Sequence, residues 1–242
     1  MAVHAPYPLP ASEAPFALER RFTEVYRHHR DSPAALRELA CLRVLFPALL
    51  ADPLPGDLFA GRIPHYPAVG FGLEDASGGP VFYGNPTALQ AGLEDPRLTA
   101  VERAELVDVI RFWDGEATIR GRLLRRLPSD VRDATTNRIA EMGGRLAGVT
   151  LDFDKLVRLG LPGLREETLR HASRTERDGG DAAFYQGLLG ALDLMVDVCR
   201  DTAARCERLA LAPGNGLDAA VLRDMARTCE RVATHAPATL RE

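Results

Sequence analysis

AAFYQGLLGALDLMVDVCRDTAARCER, residues 182–208, is the stretch that decides the fold class. Its polar residues Gln186, Asp193, Asp197, Arg200 and Glu207 recur at helical spacings and share one narrow stripe. Phe184, Tyr185, Leu188, Leu189, Leu192, Leu194, Met195, Val196, Val198 and Cys199 fill almost everything else. A helix that is apolar nearly all round is covered on most of its sides. The segment therefore predicts a central helix, over about residues 179–210, with other helices packed around it.

Helical patterning extends outward in both directions. Thr99-x-x-Glu102 is a capping box ahead of an apolar-periodic run that ends near Trp113. Helices are further expected over about 12–30, 116–127, 129–142, 163–176 and 216–234. Ser32-Pro33 predicts another helix start, with Pro33 at the first helical position and the helix running to about Leu50, bent at Pro47. Residues 52–97 interrupt this pattern with dense Pro and Gly among aromatics, and predict irregular chain with short extended pieces at LFAGR and PVFYG. Residues 1–11 are Pro-rich and read as a flexible arm, so residues 12–242 carry the folded region. No repeat of 20–50 residues is present. The fold class is mainly α.

Composition excludes several classes. The chain has 242 residues, is 46% hydrophobic and carries a net charge of −4. This is a globular composition, and it lacks the basic excess of a nucleic-acid partner. Lys155 is the only lysine among 30 lysine and arginine residues, a bias shared with the alanine load, so the arginines do not signal phosphate recognition. The longest apolar run, around Cys41–Ala51, is interrupted by Arg43 and Pro47 and is too short to span a bilayer. The N-terminus has no apolar core of a signal peptide. These features predict a cytosolic protein with reduced thiols, no nucleic-acid partner and no membrane partner.

Several side chains could in principle carry chemistry. Cys41, Cys199, Cys206 and Cys229 include no CxxC pair, and a mid-helix cysteine among apolar neighbours is usually a small core residue. His28 and His29 project about 100° apart and suit a helix C-terminus better than a metal. His65 lies in the Pro/Gly segment, and His171 and His235 show no partner in the sequence. Asp193 and Asp197 are four apart, but no E-x-x-H accompanies them; a salt bridge to Arg200 or to a neighbouring helix fits better. Neither a GxGxxG turn nor a G-x-S-x-G elbow is present. No catalytic, cofactor-binding or metal-binding residue is assigned.

One resemblance goes further. Gly148-Val149-Thr150-Leu151-Asp152-Phe153-Asp154-Lys155-Leu156, followed by Gly160-Leu161-Pro162-Gly163, resembles a segment of the glycyl radical enzymes, the pyruvate formate-lyase-like proteins. Four other pieces follow the family order: Asp57–Arg62, Phe112–Thr118, Ala183–Tyr185 and the tail Val232–Glu242. The match runs from about residue 15 onward. Each piece is weak alone; five in order are fairly specific.

The resemblance implies an α/β barrel holding two loops, of which this chain supplies only the helical N-terminal region. One loop carries a cysteine that becomes a thiyl radical. The other carries a glycine whose radical is installed by an S-adenosylmethionine iron–sulfur activase. The barrel core and both loops are expected to be absent from this chain, and none of its cysteines sits on a tight loop. Arg145, Val149, Thr150 and Asp152 become candidates for the wall of a substrate pocket. Val149 stands where polyol-dehydrating members carry a histidine, which counts against a diol dehydratase. Asp152 alone matches a polar position of the family, and its role could be to fix the loop. The expected function is the N-terminal part of a radical lyase acting on a small molecule, truncated or split, and inactive alone. The alternatives are a stand-alone helical binding or scaffold protein, and a subunit completed in trans by a second polypeptide or by a homo-oligomer.

Overall fold

A computed structural model describes residues 15–63, 67–69, 86–113, 125–136, 152–239 and 241–242. Among them the regular elements are all helices: α1 (Ala17–His28), α2 (Ala34–Leu49), α3 (Pro86–Gly92), α4 (Ala100–Trp113), α5 (Ser129–Thr136), α6 (Phe153–Arg177), α7 (Ala183–Leu211) and α8 (Ala219–Thr234). The mainly α class follows. Among the described residues no helix is long and apolar enough to cross a membrane. The chain divides into two compact units, Met1–Val25 with His65–Val149 and Tyr26–Pro64 with Thr150–Glu242.

In the first unit a buried polar relay joins α1 to α4. Phe22 is fully buried, and the Trp113 ring lies 6.2 Å from it. Trp113 Nε1 donates to Thr23 Oγ1 at 2.9 Å, and Thr23 Oγ1 in turn donates to the Glu19 carbonyl at 2.7 Å. The Glu19 carboxylate is also buried, and accepts from the Ala68 backbone N–H at 2.9 Å. Burial pushes its pKa up, with the Ala68 hydrogen bond opposing. The capping box forms as expected: Thr99 N–H donates to Glu102 at 2.8 Å, and Glu102 N–H donates to Thr99 Oγ1 at 3.2 Å.

The second unit is built on α7, against which α2, α6 and α8 all pack. Gln186, Asp193, Asp197, Arg200 and Glu207 are exposed, so the polar stripe is the side of α7 left to solvent. The close approach of α2 explains two helical glycines. A methyl group at Gly187 would lie 2.6 Å from the Ala35 β-carbon, and one at Gly190 would overlap Leu39. Ala203, Cys206, Leu222, Met225 and Ala226 form the core between α7 and α8, with Ala60, Leu217 and Cys229 against it.

Several boundaries differ from those expected. Pro33 is the N-cap of α2, not its first helical residue, and makes no side-chain cap bond. Ser32 Oγ instead lies 3.5 Å from His29 Nδ1. As expected, Pro47 lies inside α2, which continues to Leu49. LFAGR is not extended: residues 58–62 belong to a hydrogen-bonded loop, closed by Ala51 N–H donating to the Arg62 carbonyl at 2.9 Å. The expected helix at 116–127, the end of that at 129–142, the PVFYG piece and the arm at 1–11 fall largely or wholly outside the described residues.

Candidate functional site

The motif at 148–163 enters the described structure at Asp152. Its Oδ1 accepts from the Lys155 N–H at 3.0 Å, which makes it the N-cap of α6. This hydrogen bond satisfies a donor that helix geometry leaves without an intrahelical partner. Asp152 is thus placed to start a helix. Arg145, Val149 and Thr150, the other pocket-wall candidates, lie outside the described residues, as do His65 and Asp114–Thr118.

The helix starts ten residues before the expected 163 and breaks once. Gly160 has φ 60° and ψ −175°, a conformation essentially closed to residues with a side chain. The chain resumes its helix at once, with Pro162 in the first turn after the break, where a missing N–H is harmless. The Gly-Leu-Pro-Gly stretch is therefore a kink inside α6, not a stop. Gly160 is also buried beneath the C-terminal segment: a methyl group there would lie 2.6 Å from Ala236 Cα and 3.0 Å from the His235 carbonyl oxygen. Two sequence motifs far apart in the chain, at 148–163 and 232–242, meet backbone to side-chain position at this glycine.

Charges fix both partners. Lys155 Nζ reaches across the kink to Glu167 Oε1 at 2.6 Å, and His171 Nε2 lies 3.8 Å from the same oxygen. The Lys155 hydrogen bond holds the Glu167 carboxyl below its ordinary range, helped by the charges of Lys155, His171 and Arg170. The His171 ring stacks on Tyr185 of α7, with centroids 6.3 Å apart and planes 8° from parallel. Arg165 pairs with Asp193 at 2.9 Å, so that acid bridges to a neighbouring helix, one of the two outcomes expected for it. The tail folds back on α8: Ala238 N–H donates to Glu242 at 2.6 Å, Arg231 pairs with Glu242 at 2.8 Å, and Arg241 pairs with Asp224 at 2.7 Å. The Ala238 hydrogen bond, with Arg231 behind it, lowers the Glu242 pKa.

The loop at 50–63 is equally ordered by polar bonds. Leu54 N–H donates to Asp57 Oδ2 at 2.7 Å, and Arg205 donates to the Leu50 carbonyl at 2.6 Å. Its large apolar side chains nonetheless face out: Leu54 is 52% exposed, Leu58 67% and Phe59 58%. Phe153 and Val157, neighbours on the first turns of α6, are 62% and 55% exposed.

All four cysteines are free. Burial raises every thiol pKa, those of Cys41 and Cys229 to about 12, so none is poised as a thiolate. Among the described residues no group of three or more His, Cys, Asp or Glu could hold a metal ion. Asp152 and Gly160 set the start and the break of α6. Asp152 was singled out from the sequence; the kink was not, because a helix start was expected at 163, where the chain is already in the second half of α6. The Lys155–Glu167–His171 line went unseen, although a lone lysine in an arginine-rich chain was a usable signal.

Residues 86–242 match the family described as pyruvate formate lyase-like. Among solved structures, the fold is similar to a glycyl radical enzyme from Archaeoglobus fulgidus, with TM-score 0.65 and 19% identity over 95% of this chain and 31% of that one. It is similar also to a glycerol-bound B12-independent glycerol dehydratase from Clostridium butyricum, with TM-score 0.59, 14% identity, and 89% and 28% of the two chains covered. A structure concerned with 1,2-propanediol dehydration in Roseburia inulinivorans gives TM-score 0.61 and 17% identity, covering 90% and 28%. The chain thus spans under one third of the length of these proteins. Among curated proteins, none matches the sequence.

Proposed function

The chain belongs to the pyruvate formate lyase-like family, and from that premise we propose that it is the helical N-terminal part of a glycyl-radical-type lyase. In this role it forms one wall of a small-molecule pocket and turns over no substrate by itself. The observation that carries the proposal is coverage: 89–95% of this chain corresponds to only 28–31% of three glycyl radical enzymes. Hydrogen-atom chemistry would come from a glycyl radical and a thiyl cysteine on the remaining part, the radical being installed by an activase. The buried helical thiols do not suit that work.

Within the pocket, Arg145 and Thr150 would supply polar contacts, and a guanidinium favours a carboxylate. Val149 supplies no proton donor or acceptor for a hydroxyl. Asp152 already serves as the α6 cap, which makes it a support of the wall, not a ligand-binding group. Substrates of the carboxylate class therefore fit better than the glycerol and 1,2-propanediol named for the similar structures. Anaerobic incubation of the purified chain with a panel of diols and small carboxylates tests the first part. No consumption is expected; turnover by the chain without another subunit overturns it.

The exposed apolar side chains at Leu54, Leu58 and Phe59 favour completion in trans by a second polypeptide. A stand-alone binding or scaffold protein is favoured by a different observation, the closed core between α7 and α8. A sharply melting monomer in sedimentation and calorimetry would support the scaffold role and count against the other.

A further inference from the structure

We propose that Lys155 is a positioning residue: its ammonium, pinned to Glu167 across the Gly160 break, locks the angle between the two halves of α6 and so the placement of Asp152 at the start of the first half. Residues 235–236 pack on the break itself, and Lys155–Glu167 is a polar contact that joins its two sides. Asp152 fixes only the start of the first half, and Gly160 interrupts the helical ladder between the halves. Lys155 and Glu167 are twelve residues apart, so no continuous helix would set their spacing, and their 2.6 Å contact reports the bend itself. A second ion pair among the described residues of the first half, Arg158–Asp154 at 3.9 Å, stays within that half and says nothing of the angle.

The residue type supports the same assignment. Every other cationic side chain of this kind in the sequence is arginine. Arginine presents a planar fork that prefers both oxygens of a carboxylate; lysine presents a compact point charge. Here the near oxygen, Glu167 Oε1, is approached by both Lys155 Nζ and, at 3.8 Å, His171 Nε2. A single oxygen shared in this way suits a point donor. That Asp152 supports a pocket wall rests on the function proposed above; the lock does not.

The sequence supplies its own probe, because a lysine-specific endoprotease has one site, Lys155. Glu167→Gln removes the carboxylate and keeps that site. Native-state cleavage after Lys155 is expected to rise about two- to fivefold, the population change that a partly exposed ion pair supports. Hydrogen exchange should rise over 153–159 while 164–177 and α7 stay protected. In the swapped pair Lys155→Glu with Glu167→Lys, exchange over 153–159 should return toward that of the parent. Unchanged cleavage in Glu167→Gln overturns the proposal. So does exchange that rises in every helix together, which would mean global destabilisation, and so does a Lys155→Arg variant, read by hydrogen exchange alone, whose 153–159 exchange matches that of the parent. The protease reads the lock without any ligand, so its failure leaves the pocket assignment standing, and a failed pocket leaves the lock standing.

Discussion

Replacing Gly160 by alanine imposes two separate costs. Its φ of 60° with ψ of −175° is expensive for any residue with a β-carbon, by about 1–3 kcal/mol. The new methyl group would also meet the backbone of His235 and Ala236, which cannot rotate away as a side chain could. Urea unfolding of Gly160→Ala should therefore show a loss at or above the top of that range. A control at Gly179, where a methyl group meets nothing within 4 Å, should lose only the conformational part. Glu19 gives a second prediction, with its own sign. Burial raises its folded pKa above the ordinary 4.5, so the folded state holds the proton more tightly than the unfolded chain. Stability is then highest below the unfolded value and falls as pH rises through the folded one. Glu19→Gln keeps an oxygen for the Ala68 N–H but does not titrate. It should flatten that slope and raise the melting temperature at pH 7. Glu19→Ala instead leaves the part-buried Ala68 N–H without its acceptor, at about 1 kcal/mol. Neither effect was legible in the sequence: Glu19 looks like any solvent-facing helix acid, and its partner Ala68 is 49 residues away.

Elements were more legible than the contacts between them. The capping box, the α7 polar stripe and the α8 pattern all follow from spacings within one helix, and sequence contains those directly. The start of α6 was missed because Gly-Leu-Pro-Gly reads as a terminator, whereas the chain is helical on both sides of Gly160, with Pro162 in the first turn after the break. The extended piece expected at 58–62 does not form: hydrogen bonds by Asp57 and Arg62 close the chain into a loop. Of the candidate site, Asp152 was recognisable as a position, but its work as a helix cap required the Lys155 N–H to be placed. The two halves of α6 also carry a pH prediction. Glu167 titrates below its ordinary 4.5 because Lys155 hydrogen-bonds to it, so its contribution is complete above 4.5 and is lost as pH falls through the lowered folded value. Hydrogen exchange over 153–159, corrected for intrinsic rates, should therefore accelerate on acidification more than exchange over 164–177, and Glu167→Gln should abolish the difference.

At the scale of the whole chain, the family match and the coverage of its structural relatives leave most of a glycyl radical enzyme's length without a counterpart here. An N-terminal part that normally meets other polypeptide should present apolar side chains that are held outward and not merely loose. The 50–63 loop has that character. Its backbone is closed on itself and tied to Arg205, and Ala60 anchors it on the α7–α8 core, yet Leu58 and Phe59 stand in solvent. Such a surface is costly in water, at about 25 cal/mol for each Å² of apolar area left uncovered. The purified chain should accordingly bind a hydrophobic dye in its native state and self-associate with rising concentration in sedimentation velocity. Leu58→Asp with Phe59→Asp should reduce both, and because these side chains make little contact in the folded chain, the melting temperature should stay close to that of the parent. If the double variant binds dye as before and associates as before, the loop is not the sticky surface. If the parent chain is monomeric and dye-silent at all concentrations, the scaffold role gains and completion by a second polypeptide loses its physical motive.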